Sequence, residues 1–339
     1  MTDPSDSAAT DDVAPAHLSA RPAAETNPSF HEQVRAARSE LEQQVGKARA
    51  DFEQVQDRIN ERTGRNLLLA TLIALAIGAV VLGTLLFVKW LFLLFALPVC
   101  LLGVYEFSRA LQTSGRRVDV WPHLAAALVI TASGFFLDHW THWVLTFVAV
   151  AFVIVWRLLA QMAAADGRTY GEVLSDVLVA GLIQIYVPFL AGFTLVLLRQ
   201  DQGEYWLLAM IVTVVAADTG AYATGLALGR HPMAPRISPK KTWEGFAGAA
   251  VAAAAAATLF AIFVLHSPAW TGVVFGLVML VSATLGDLGE SMIKRDLGIK
   301  DMSSWLPGHG GVLDRLDSIL PSAPAALAMY VLFFPLVGS

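Results

Sequence analysis

The residues best suited to chemistry lie in a polar segment near the carboxyl end of the chain. Asp287, Ser291 and Lys294 are spaced by four and three residues, so a helix through them would carry a carboxylate, a hydroxyl and a cation on one face. Asp314 and Asp317 share such a face at the start of the last apolar stretch. Carboxylates from two helix ends suit Mg²⁺, which keeps several waters and also binds phosphate oxygens. The spacing therefore indicates a Mg²⁺ site and leaves a second cation open.

The same segment contains cations and glycines that suit phosphate groups. Its basic residues are Lys294, Arg295, Lys300 and Arg315. The run His309-Gly310-Gly311 adds backbone that can approach a phosphate closely, with N–H groups at a helix N-terminus. Charged runs are most often solvated surface, and that alternative applies to each residue taken alone. The density of acids and bases beside an apolar stretch favours a metal-assisted phosphate site.

A second polar segment precedes a long alanine-rich stretch and contains Ser238, Lys240 and Lys241. Two lysines at a helix N-terminus form a place for polyanions, although lysines also anchor helices at the membrane surface. Asp218 lies inside an apolar stretch just before this segment. A charge there is costly and is by default functional, the alternative being a buried acid with a structural partner.

The elements that must position these residues are membrane helices. Of the 339 residues, 56% are hydrophobic and only 15% charged, and the mean hydropathy of +0.59 excludes an ordinary soluble domain. A membrane crossing needs about 20 apolar residues, and this rule predicts an all-α polytopic membrane protein with about nine transmembrane helices. The predicted stretches are 67–86, 90–107, 121–137, 140–160, 174–198, 205–229, 243–266, 269–287 and 319–337.

The chain divides into four predicted parts. Residues 1–28 are predicted to be a disordered tail, because they contain few large apolar side chains. Residues 29–66 have apolar residues at helical spacing and are predicted to form a cytoplasmic amphipathic, coiled-coil-like helix. Residues 67–204 would hold the first transmembrane helices, and residues 205–339 the catalytic transmembrane domain.

The distribution of basic residues predicts the orientation. With nine crossings and the tail in the cytoplasm, 21 of the 23 Lys and Arg residues fall inside, and only Lys89 and Arg199 fall outside. The protein is therefore expected to be a multi-pass protein of the cell membrane, with both polar segments facing the cytoplasm. The oligomeric state is left open, and a homodimer is compatible with the sequence.

Several other classes of function are disfavoured. The net charge of −5 argues against a nucleic-acid partner, and the single cysteine, Cys100, allows no intramolecular disulfide. The Walker pattern of P-loop proteins is missing from the sequence. An ion-coupled transporter is an alternative because it would also use buried acids, but the acids cluster in one third of the chain. The run Asp138-His139-Trp140-Thr141-His142 is interpreted as an interfacial anchor on the outer face rather than as a metal cluster.

One stretch resembles a known family. From Ser291 to Asp317 the sequence reads Ser-x-x-Lys-Arg, four residues, Lys-Asp, and then Leu-Pro-x-His-Gly-Gly-x-x-Asp-Arg-x-Asp. This pattern resembles the signature of the CDP-diacylglycerol synthases, also called phosphatidate cytidylyltransferases. The segments Asp218–Tyr222 and Ile237–Gly245 also resemble that family, so the similarity spans roughly residues 205–320.

The resemblance implies that the phosphate of phosphatidic acid, a membrane lipid, attacks the α-phosphorus of CTP and releases pyrophosphate. It implies Asp287 and Asp314 as metal ligands, with Asp317 as a weaker candidate. The implied catalytic residues are Asp287, Lys294, Arg295, Asp314 and Arg315, and the implied substrate contacts are Asp218, Ser238, Lys240, Lys241, Ser291, Lys300, His309, Gly310 and Gly311. A CTP-dependent lipid-alcohol kinase is the alternative enzyme, because it would share nucleotide and metal but transfer the γ-phosphoryl group.

Overall fold

The computed structural model describes residues 67–164, 167–303 and 310–337. The predicted disordered tail, the predicted amphipathic helix before residue 67, and His309 therefore lie outside the described residues. The described part is built almost entirely from helices. This confirms the all-α class predicted from the hydropathy pattern.

The helices follow the predicted apolar stretches closely. In chain order they are α1 (Leu67–Phe87), α2 (Lys89–Thr113), α3 (Val120–Phe136), α4 (His139–Ala164), α5 (Tyr170–Gln184), α6 (Leu190–Leu198), α7 (Gly203–Leu228), α8 (Trp243–Phe263), α9 (Ala269–Asp296), α10 (Leu313–Leu316) and α11 (Ile319–Phe333). A π-helical turn, Ile185–Phe189, joins α5 to α6, and a 3-10 turn, Phe334–Leu336, follows α11. The predicted division of the first apolar run at Lys89 into two helices is confirmed.

The protein is integral to the membrane. In the described part of the chain, seven helical stretches are long and apolar enough to cross a bilayer, with α5 to α6 and α10 to the final turn each forming one stretch. Two shorter apolar helices, Gly78–Phe87 within α1 and Val120–Phe136, complete the set. Each of the nine predicted crossings thus corresponds to an apolar helix.

The polar segment between α7 and α8 forms a small hairpin that the hydropathy pattern did not predict. Strand β1 (Pro232–Ala234) pairs antiparallel with β2 (Ser238–Thr242). The hydroxyl of Thr242 then accepts the N–H of Gly245 at 3.1 Å and caps the N-terminus of α8. Strand β2, which contains Lys240 and Lys241, therefore leads directly into the N-terminus of α8.

Helices α7, α8 and α9 pack closely because small residues line their contacts. A Cβ at Gly220 of α7 would lie 2.6 Å from the Cβ of Ala252 in α8, and a Cβ at Gly276 of α9 would lie 2.7 Å from the carbonyl oxygen of Ala253. Small residues allow membrane helices to approach to backbone contact. This packing brings Asp218 and Asp287 to the same end of the three helices.

The run from Asp138 to His142 has a structural role in the described fold. Asp138 accepts the N–H of Thr141 at 3.1 Å and its hydroxyl at 2.6 Å, at the start of α4. These hydrogen bonds, the hydroxyl bond foremost, lower the pKa of Asp138. His142 is buried and its Nδ1 lies 2.8 Å from the hydroxyl of Ser133. These contacts give Asp138 and His142 structural roles at the start of α4, whereas their location on the outer face stays a prediction.

Candidate active site

The two polar segments of the sequence meet in space. Lys241 of the hairpin forms an ion pair with Asp287 of α9. Nearby, the Nε of Arg295 donates to the carbonyl oxygen of Ile237 at 3.3 Å. The hairpin therefore lies against the end of α9, and its lysines are neighbours of the acids on that helix.

A cavity of about 310 Å³ lies between α7, the hairpin, α8 and α9. Its charged and polar wall contains Asp218, Lys240, Lys241 and Asp287. Its apolar wall is formed by Ala217, Ala221, Phe246, Ala249, Leu280 and Ala283. One cavity thus combines charged groups with a surface suited to hydrocarbon.

Helix α9 continues past Asp287 to Asp296, as the spacing of its polar residues predicted. The hydroxyl of Ser291 donates to Asp287 at 3.3 Å, which confirms that these two side chains share a face. Lys294 lies one turn further along, and its side chain is only 13% exposed. The helix therefore carries a carboxylate, a hydroxyl and a largely buried ammonium group in line.

Lys294 lies between two acids. Its ammonium group donates to Asp314 at 2.8 Å and to Glu290 at 3.2 Å. Glu290 is fully buried and also accepts the hydroxyl of Tyr186 at 3.4 Å. Because a buried polar or charged group without a partner is costly, these three groups depend on one another.

The second oxygen of Asp314 accepts two backbone N–H groups. Its Oδ2 accepts the N–H of Met302 at 2.9 Å and the N–H of Gly311 at 2.8 Å. Gly310 has a φ of +79°, and a Cβ at Gly311 would lie 3.1 Å from Oδ2. Glycine is therefore needed here for conformation and for space. The N–H of Gly311, expected to contact phosphate, is directed at Asp314 in this structure.

Asp317 lies at the closest approach of α9 to the start of α11. A Cβ at Gly286 would lie 2.3 Å from the carbonyl oxygen of Asp317 and 2.6 Å from Pro321. This contact places Asp317 within electrostatic range of both Asp287 and Asp218. Its Oδ1 accepts the N–H of Ser318 at 2.7 Å.

The arrangement of these acids bears on the predicted Mg²⁺ site. Within residues 67–164, 167–303 and 310–337, no three acidic, histidine or cysteine side chains converge into a metal centre. Mg²⁺ is often held by only one or two carboxylates together with substrate phosphates, so a Mg²⁺ site does not need three protein ligands. Asp287 and Asp314 each already face a cationic ammonium group. The surroundings of both carboxylates therefore suit a cation, and the Mg²⁺ site stays a prediction.

The other predicted contacts lie at the edge of this arrangement. Arg295, Lys300 and Arg315 are exposed, whereas Ser238 is half-buried in β2 and is not part of the cavity wall. These exposed cations are accessible from solvent. The predicted substrate contacts of these four residues stay a prediction.

Sequence reasoning missed two buried acids, Glu106 and Glu290. Glu106 of α2 is 1% exposed and accepts hydrogen bonds from Ser303, Val312 and Leu313. Each acid lies in or beside an apolar stretch, and that signal could have identified it as it identified Asp218. The partners of Glu106 could not have been identified, because they are about 200 residues away in the chain.

A bundle of apolar helices with a cavity lined by lysines and carboxylates defines a membrane-integral protein with a polar site. Residues 69–333 match the family model described as "Cytidylyltransferase family". Because the match extends over most of the chain, the protein belongs to this family.

Named relatives agree with that assignment. The phosphatidate cytidylyltransferase of Mycobacterium bovis is 37% identical over 278 residues, which cover 78% of this chain and 88% of the relative. The phosphatidate cytidylyltransferase of Mycobacterium leprae is 35% identical over 80% of this chain and 89% of its own length. That of Brucella suis is 36% identical over 76% of this chain and 91% of its own length.

Proposed function

We propose that this protein is a phosphatidate cytidylyltransferase, which converts CTP and phosphatidate into CDP-diacylglycerol and pyrophosphate. Its membership of the cytidylyltransferase family and the shared name of its relatives support this reaction. The structural observation that carries it is the cavity, because a lipid phosphate needs both cations and an apolar wall next to the membrane.

The reaction joins two polyanions, so the protein must offset their repulsion. A phosphate oxygen of phosphatidate attacks the α-phosphorus of CTP, the bond from that phosphorus to the β-phosphate oxygen breaks, and pyrophosphate leaves. Displacement at phosphorus depends mainly on positioning and on stabilisation of negative charge. Lys240 and Lys241 would bind the lipid phosphate at the cavity, and Lys294, Arg295 and Arg315 the phosphates of CTP. No covalent intermediate on the protein is required.

Mg²⁺ is the proposed cofactor, with Asp287 and Asp314 as its ligands and Asp317 as a further candidate. Asp314 is suited to this role because two backbone N–H groups hold its Oδ2 and orient its Oδ1 toward a cationic group, the ammonium of Lys294. When bound, the metal would supply positive charge that stabilises the phosphates during displacement. We expect chelation of divalent cations to abolish turnover and added Mg²⁺ to restore it, as measured by product formation; full activity after exhaustive chelation would contradict the proposal.

We also propose that the site faces the cytoplasm of the cell. The uneven distribution of Lys and Arg residues supports this orientation. CTP is made in the cytoplasm, whereas phosphatidate lies in the membrane, so a site at the cytoplasmic surface has access to both.

The reaction is tested by the position of a label on CTP. Purified protein in phosphatidate-containing micelles is given CTP labelled at the α-phosphate or, in parallel, at the γ-phosphate. We expect the α-label in the lipid and the γ-label in pyrophosphate. A γ-label in the lipid would contradict the proposal and indicate a lipid kinase instead.

A further inference from the structure

Glu106 is a buried carboxylate that joins the first half of the chain to the candidate active site. It lies near the end of α2 and is 1% exposed. Its Oε1 accepts the hydroxyl of Ser303 at 2.6 Å and the N–H of Val312 at 3.0 Å, and its Oε2 accepts the N–H of Leu313 at 2.9 Å. A charge-assisted hydrogen bond is about twice as strong as a neutral one, so this carboxylate is a strong attachment point.

The N–H groups that Glu106 binds belong to Val312 and Leu313, the two residues directly before Asp314 of α10. The N–H groups at the start of a helix have no partner within the helix, and Glu106 satisfies two of them at the start of α10. Asp314 is the next residue along the chain. On the same side, a Cβ at Gly311 would lie 2.7 Å from the Oε2 of Glu106, so the glycine turn packs directly on the carboxylate.

The surrounding packing supports the same connection. Val104 and Phe107 of α2 belong to one buried cluster with Met302 and Leu313. Polar and apolar contacts therefore both attach the segment around Asp314 to α2. A segment attached on only one face could shift relative to α9, whereas this one is held on both, by Glu106 on one side and by Lys294 on the other.

We propose that Glu106 is a positioning residue for nucleotidyl transfer, which fixes Asp314 and the glycine turn relative to Lys294. Glu106 acts through the backbone of Val312 and Leu313. The proposal does not require it to contact the substrate. The kinetic part of this inference rests on the proposed function, whereas the structural part can be measured without any turnover.

The kinetic test compares Glu106→Gln with Asp176→Asn. Glutamine keeps the shape of the side chain but removes its charge and turns one acceptor into a donor that faces an N–H group. Asp176 serves as a control because it is also fully buried and accepts a backbone N–H, that of Arg117, at 3.1 Å, and its ion pair with Arg168 makes its substitution at least as demanding on the fold. We expect Glu106→Gln to lower kcat about tenfold or more, since small misplacements of reacting groups have effects of this size, and Asp176→Asn to leave it near the wild-type value.

A double-mutant cycle separates positioning from a general loss of structure. If Glu106 acts through Asp314, then Glu106→Gln should add little to the loss caused by Asp314→Asn, because residues that act as a unit are not additive. Losses that multiply would overturn the proposal. If Glu106→Gln does not fold, Ser303→Ala replaces it in the same cycle. This variant removes one hydrogen-bond donor to Glu106, and the same two outcomes support or overturn the proposal.

The structural test measures exposure of the loop by thiol labelling. Met302 is 6% exposed, and its N–H binds Asp314, so Met302→Cys in a Cys100→Ala background should be labelled slowly. We expect Glu106→Gln to increase the labelling rate about tenfold or more and Asp176→Asn to leave it unchanged. Equal labelling with and without Glu106→Gln would overturn the proposal. A wild-type protein that forms no CDP-diacylglycerol would refute the proposed function alone, because the labelling comparison would still decide whether Glu106 holds the segment.

Discussion

At the scale of single residues, the candidate site is a set of opposite charges in contact. Lys241 pairs with Asp287, and Lys294 pairs with both Asp314 and Glu290. Charges of both signs are thus present where two polyanions and a cation are expected to bind. The carboxylates are the groups whose charge can be removed with least change of shape, so they offer the sharpest tests.

We expect Asp287→Asn and Asp314→Asn each to lower turnover by several powers of ten, because each would remove a charged ligand of the proposed Mg²⁺. If both acids serve one metal, the double variant should be hardly worse than either single variant. Turnover is measured with labelled CTP at saturating Mg²⁺. Asp201→Asn, at an exposed carboxylate between α6 and α7, is the matched control and should remain active. Near-normal turnover in either site variant, at normal expression, would assign the metal to other carboxylates.

A second prediction concerns the buried group around Lys294. Lys294→Met removes the ammonium group that both Glu290 and Asp314 contact, so we expect a loss of stability of about 3–5 kcal/mol. Adding Glu290→Gln removes one of the two acids that lose their partner and should recover part of this stability, but not activity, since the ammonium group is still missing. Thermal unfolding in detergent and turnover are measured on the same samples. Recovery of activity in the double variant would show that Lys294 serves only to neutralise Glu290.

At the scale of elements, the site depends on how closely α9 approaches the start of α11. Gly286 is the contact point, where an added Cβ would meet the backbone of Asp317 at 2.3 Å. We therefore expect Gly286→Ala to separate the two helices and to lower turnover about a hundredfold, the effect typical of a misplacement of about 1 Å. The measurement is turnover together with thermal stability.

Gly289→Ala is the control for that variant. Gly289 lies on the same helix, and a Cβ there would meet none of the described atoms within 4 Å. Alanine also favours helix over glycine, so this variant should be active and at least as stable as the wild type. Equal turnover in the two glycine variants would show that activity does not depend on how closely α9 approaches the start of α11.

The elements also show what sequence patterns could and could not predict. The continuation of α9 through Ser291 and Lys294 was predictable, because helical spacing is a local property of the chain. The hairpin was not, because its second strand, β2, contains a proline and two lysines and lacks the alternation typical of strands. Glu106 was missed for a different reason: its role depends on contacts with residues about 200 positions away.

At the scale of the whole molecule, the site is not a property of the last third of the chain alone. Residues from Arg65 to Ser339 form one compact unit, and the family match also begins early, at residue 69. Glu106 and Tyr186 reach the site from helices that the resemblance noted in the sequence did not cover. The motifs identify the chemistry, whereas the first helices contribute to the position of the motif residues.

The orientation of the whole molecule is the last prediction. Helix α7 has 26 residues and is about 39 Å long, enough to cross a hydrocarbon core of about 30 Å. Asp201 precedes it and Pro235 of the hairpin follows it, and both are exposed. If α7 crosses once, cysteines at these positions lie on opposite sides of the membrane.

In a Cys100→Ala background, we expect Asp201→Cys to react with an impermeant thiol reagent in intact cells and Pro235→Cys to react only after lysis. The physical reason is the excess of basic residues on the side of the hairpin, which favours retention of that side in the cytoplasm. The reverse pattern would place the site outside the cell, away from cytoplasmic CTP, and would contradict both the orientation and the proposed supply of nucleotide. Labelling of both cysteines in intact cells would show instead that α7 does not separate the two positions.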